Sequence, residues 1–223
     1  MMQKVVIFEN GNDGERFADY LEQELAVVDV IRVSAPKPKL PDPKTMQTRT
    51  AVADAALSPY IGRAEVIVLA SYEATLATSR FLHHKYPEQK LVGFWPQLSR
   101  HLKKVPDGKR VMLLARDEVR HSPDYQKEVR RLDRFEVVES NCDDWMRAIT
   151  DADFGKEFIP KEKQRTGTVD IVLLYCDSIE GIQEAFERVY GWQVNVLDDY
   201  KGVFRETCTA LGFRGKDGGR GRF

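Results

Sequence analysis

Residues 64–75, Ala64-Glu65-Val66-Ile67-Val68-Leu69-Ala70 followed by Ser71-Tyr72-Glu73-Ala74-Thr75, decide how the chain is read. The first seven are rich in β-branched side chains and bounded within strand length, so they predict a strand. Residues 74–84 predict a helix. A strand that runs straight into a helix is the repeating unit of a mainly parallel sheet. Working outward, the same alternation recurs. Strands are expected at 5–8, 28–33, 91–94, 110–114, 135–138, 169–175 and 194–197. Helices are expected after Gly14, where Phe17, Tyr20, Leu21 and Leu25 recur at helical spacing, over 45–57, around 125–131, after Asp143 and over 180–190. Four prolines within residues 36–43 predict an extended loop. Residues 155–167 read as a polar connection, and the Gly- and Arg-rich residues 214–223 as a loose tail.

The composition fits a folded α/β chain. Of 223 residues 42% are apolar, and 34 basic side chains nearly cancel 35 acidic ones, which excludes intrinsic disorder for most of the length. A net charge of -1 gives no general attraction to phosphate backbones or anionic lipid, so neither nucleic acid nor a membrane is expected as partner. No run approaches the ~20 apolar residues of a membrane span, and the N-terminus turns polar too soon for a signal peptide. A cytoplasmic location is expected. Cys142, Cys176 and Cys208 are an odd number without C-x-x-C spacing, so neither a disulfide framework nor a zinc site is expected, and the thiols are read as reduced. The length falls short of the ~250 residues of a (β/α)₈ barrel and suits two similar halves instead.

Ligands of parallel α/β sheets collect at the carboxyl ends of the strands. Four such places stand out: Glu9-Asn10-Gly11-Asn12-Asp13-Gly14, Ala70 to Thr75, Ala115 to Ser122, and Tyr175-Cys176-Asp177-Ser178. The first lacks the G-x-G-x-x-G order of a dinucleotide site, and a tight turn explains its glycines equally well. Cys176 leaves a strand for a helix, and the helix's amide end favours thiolate, although Asp177 opposes it. A quiet packed thiol is the competing reading. Cys142 and Cys208 sit in helical segments and read as structural.

Taken in order, Phe8 to Gly14, Val68 to Thr75, Gly93-Phe94-Trp95-Pro96, Leu113-Leu114-Ala115 with Ser122 and Tyr125, Leu173 to Ser178, and Val194 to Asp198 resemble the successive signatures of glutamate racemase and the wider aspartate/glutamate racemase superfamily. The resemblance implies two pseudo-symmetric flavodoxin-like domains, residues 1–94 with 200–223 and residues 95–199, with the site in the cleft between them. It implies no metal and no pyridoxal cofactor. Two cysteines would flank the substrate's Cα, one removing its proton while the other delivers one. The second of these matches Cys176; the first falls on Ser71, a poor base without a neighbour to take its proton. The family's aspartate in the first turn matches Glu9, beside Asn10. Its polar partners fall on Tyr72 and Glu73, its threonine and histidine after the second cysteine on Asp177 and Ser178, and its paired threonines on Arg116 and Val119. Arg116 offers bidentate donors to a carboxylate and could equally pair with Glu9 or Glu73.

Three readings follow. The first is a divergent, cofactor-independent amino-acid racemase-type enzyme, or a related single-cysteine proton-transfer enzyme, acting through Cys176. The second is a catalytically silent racemase-like fold that binds or regulates. A weaker third is a structural partner in a homodimer through the charged segment 120–131. A small carboxylate or amino acid is the expected ligand, and supply of a cell-wall precursor is what the glutamate-specific branch would imply.

Overall fold

The computed structural model describes residues 2–9, 14–34, 45–96, 98–150, 168–176, 182–191 and 193–213; for 45–48 and 147–150 it describes only helical backbone. The Pro-rich segment 36–43, the connection 155–167 and the tail 214–223 lie outside these residues. The chain divides into two compact units, Met1–Phe94 with Tyr200–Phe223, and Trp95–Asp199.

The first unit is built from β1 (Gln3–Glu9), α1 (Glu15–Glu24), β2 (Val28–Ser34), α2 (Thr45–Leu57), β3 (Val66–Leu69), α3 (Tyr72–Lys85) and β4 (Leu91–Gly93). Its four strands run parallel in the order β2-β1-β3-β4. Val5, Val6, Ile7 and Phe8 are each at most 2% exposed, because β1 is central and covered on both faces, which is why its sequence is an unbroken apolar run. Alternation sorts the faces. Val6 and Phe8 join Ile67 and Leu69 in a cluster with Ala53 and Leu57 of α2 and Ala74 and Leu82 of α3. The basic residues His83, His84 and Lys85 in the last turn of α3 complement its carbonyl end.

The second unit repeats the plan with β5 (Arg110–Ala115), α4 (Asp117–Arg120), α5 (Pro123–Arg130), β6 (Glu136–Asn141), α6 (Cys142–Thr150), β7 (Ile171–Tyr175), α7 (Ile182–Tyr190) and β8 (Asn195–Leu197). Its parallel order is β6-β5-β7-β8, the first unit's order with β5 in the place of β1. Met112, Leu114, Val172 and Leu174 pack one face against Trp145 of α6 and Ile182, Ala185 and Phe186 of α7, and Trp145 stacks on Phe186 with ring centroids 3.9 Å apart. The chain then returns to the first unit as α8 (Tyr200–Ala210), which lies along β3 and β4 and brings the Tyr200 ring 5.3 Å from Phe94 and 5.8 Å from Phe17.

The expected α/β class with two mainly parallel sheets is the observed one. Boundaries moved where polar residues found partners. Strand β6, expected to end at 138, continues through Glu139, Ser140 and Asn141 in register with β5. Tyr125 donates to Glu139 at 2.9 Å and the Trp145 indole to Ser140 at 3.2 Å, so these polar side chains are satisfied inside the ladder.

Candidate functional site at the strand ends

The carboxyl end of the first unit's sheet is closely filled. Glu9, the last residue of β1, is 7% exposed. Its carboxylate accepts the Gly14 amide and, at 2.6 Å, the Ser34 hydroxyl, so it ties the turn into α1 to the end of β2. Gly14 is required there: a Cβ would lie 2.8 Å from the Ala70 Cβ and 3.0 Å from the Glu9 carboxylate. Ser71, 1% exposed, is the N-cap of α3, its backbone extended and its Oγ accepting the Ala74 amide at 3.0 Å. Thr75 completes the seam. Its hydroxyl reaches the Ser71 carbonyl at 2.8 Å and accepts the Phe94 amide at 2.9 Å, joining the ends of β3 and β4. Tyr72 is 2% exposed, its ring 5.7 Å from that of Phe94.

In the second unit, Arg116 follows β5 and its Nε donates to Asp143 of α6 at 3.2 Å. Val119 is fully buried. Tyr125, on α5, lies edge-on to Tyr175 with centroids 5.4 Å apart; burial first, and then the Glu139 charge, pushes its phenol well above the ordinary range. Glu128 is completely buried and well satisfied: it accepts from Ser99 through both backbone and hydroxyl, from Tyr175 at 3.0 Å and from Arg131 at 3.3 Å. Asn10, Asp177 and Ser178 lie outside the described residues.

The cysteines depart from expectation. Cys142 and Cys176 form a disulfide, which corrects the reading of reduced thiols, and Cys208 is the free cysteine. Spacing along the chain conceals this pairing because it arises from register. Asn141 of β6 and Tyr175 of β7 both pair with Ala115 of β5, so Cys142 and Cys176 each stand one residue beyond, on either side of β5's end. Strands two apart in a sheet are separated by ~9.6 Å. Past the end of β5 the two segments close to a Cα–Cα distance of 6.5 Å, within bridging reach. Nor does Cys176 sit at an open mouth. It continues the row of Val172 and Leu174, 2% exposed, in the cluster under Trp145 and Phe186. A disulfide sulfur carries no thiolate to accept a proton. Ser34, Thr75 and Asp143 were not singled out from sequence, and Cys142 was read there as structural; Glu9's need for a donor and the parity of Cys176 with Leu174 were the available signals.

Among the described residues no cluster of His, Cys, Asp and Glu is placed to hold a metal ion, and no helix is long and apolar enough to cross a membrane. No family model matches the chain, and no curated protein matches it significantly. Solved structures do. Escherichia coli glutamate racemase, in complex with L-glutamate and the activator UDP-MurNAc-Ala, is 17% identical with a TM-score of 0.73, over 97% of this chain and 85% of that one. A glutamate racemase isoform from Bacillus anthracis is 14% identical with a TM-score of 0.72, over 96% and 83%. Picrophilus torridus aspartate racemase is 18% identical with a TM-score of 0.60, over 96% of both chains. With its two four-stranded parallel sheets of matching order, the chain therefore has the fold of the glutamate and aspartate racemases.

Proposed function

We propose that this chain is a racemase-like protein that binds a small carboxylate or amino acid without racemising it. The observation that carries the reading is the Cys142–Cys176 disulfide, which removes the thiol matching the family's second base. For the other base the resemblance offers Ser71, whose hydroxyl oxygen is engaged as a helix cap. Two-base proton exchange needs an acid and a base at one carbon, and neither Ser71 nor Cys176 is available as one. The ligand class is supported by the structural relatives crystallised with L-glutamate and D-glutamate.

A second reading rests on position. Cys176, which the resemblance matches to the family's second cysteine, directly follows β7, and reduction by a dithiol would return it as a thiol. The reduced protein is then a single-base proton-transfer enzyme. One experiment separates the two: Cα–H washout followed by proton NMR in deuterated buffer, with D and L forms of glutamate and aspartate, run without and with dithiothreitol, with Cys176→Ala as control. Saturable ligand shifts without exchange in both redox states are the expected result. Exchange that appears only after reduction and vanishes in Cys176→Ala supports the second reading. Inversion by the unreduced protein overturns the proposal.

A further inference from the structure

The second unit carries a half-open cavity of about 410 Å³ whose lining includes none of the site residues expected from the sequence. It lies between the 3₁₀ turn Leu98–Leu102 and the residues that follow α5. Its lining holds four cations, Arg100, Lys103, Arg131 and Arg134, with Ser99 and the apolar Leu132 and Phe135, and no carboxylate.

Three of the cations are held in place from behind. Asp199, 1% exposed, pairs with Arg100; Glu128, fully buried, pairs with Arg131 at 3.3 Å; and Arg134 pairs with Asp107 at 2.6 Å, donates to the Leu102 carbonyl and stacks 4.5 Å over the Phe135 ring. Pairing of this kind limits how far the guanidiniums move before a ligand arrives. Lys103 is exposed and makes no ion pair among the described residues. A half-open cavity lined by four cationic side chains over an apolar floor suits a multiply charged oxyanion attached to a small organic group.

We propose that this cavity is a binding site for a small organic phosphate of the diphosphate class, separate from the strand-end residues and independent of the proposed function. Its size fits a nucleotide-sized ligand. The test is calorimetric titration of the full-length protein with pyrophosphate, ADP and adenosine, repeated on Lys103→Ala/Arg131→Ala and on Lys104→Ala, whose side chain does not line the cavity. Both changed residues are exposed, and thermal melts of each variant confirm that folding is retained. Saturable binding of pyrophosphate and ADP but not adenosine is expected, weakened about tenfold or more in the double variant, unchanged in Lys104→Ala, and falling with added salt. The absence of saturable binding, or binding that the double variant leaves intact, overturns the site. So does a single-stranded oligonucleotide that binds and is not displaced by pyrophosphate.

Discussion

Ser71 stands where the resemblance places a catalytic thiol, and its oxygen caps α3. Replacing it with Ala removes an acceptor for the Ala74 amide, and a lost N-cap of this kind costs ~1 kcal/mol, readable as a lower urea midpoint at unchanged slope. Ser71→Cys restores one thiol only. It is expected to leave the unreduced protein unable to invert D- or L-glutamate, checked by polarimetry, because Cys176 stays tied to Cys142. Asp170 sets a pH dependence. The hydrogen bond from Lys109 at 2.8 Å, with the Arg110 amide adding to it at 2.9 Å, holds its carboxyl below the usual carboxylate range. The folded state thus releases this proton more readily than the unfolded chain. Its contribution is present above the unfolded pKa and is lost as pH falls through the folded one. Asp170→Asn is expected to flatten the acid limb of a plot of melting temperature against pH.

At the scale of elements, the strands were legible because each central one carries an uninterrupted apolar run that a doubly covered strand explains, as at residues 66–69. The end of β6 was not legible. Glu139, Ser140 and Asn141 look like a loop until Tyr125 and Trp145 supply their partners from other elements. The seam between β3, α3 and β4 depends on Gly93, where a Cβ would lie 2.7 Å from both the Thr75 Cγ2 and Oγ1. Gly93→Ala must push Thr75 off the Phe94 amide, and such overpacking costs ~1–3 kcal/mol, measured by chemical denaturation. Residues 142 and 176 belong to this scale as well. Their pairing is written in the register of β6 and β7 against β5, which only the assembled sheet displays.

For the whole molecule, a strand order repeated in each unit accounts for the likeness to two-unit racemases despite 14–18% identity. Strand runs carry the fold, while the residues between them are free to change. That is what separates a legible fold from a site that had to be seen: Glu9, Ser71 and Cys176, the residues the resemblance singles out, are each occupied by local bonding. The disulfide closes a separation of 34 residues, and by the chain-entropy argument reduction is expected to lower stability by roughly 4 kcal/mol, seen as a drop in melting temperature on adding dithiothreitol that Cys208→Ser does not alter.

The pairing itself is open to direct measurement. Protein purified without reductant is denatured with an alkylating agent present, digested with trypsin and mapped by mass spectrometry. Cys142 then falls in the peptide 135–147 and Cys176 in the peptide 166–188. The account predicts these two joined as one disulfide-linked species that reduction splits, with Cys208 alkylated. Alkylation of both Cys142 and Cys176 in the unreduced sample would contradict it and return Cys176 to service as a thiol base.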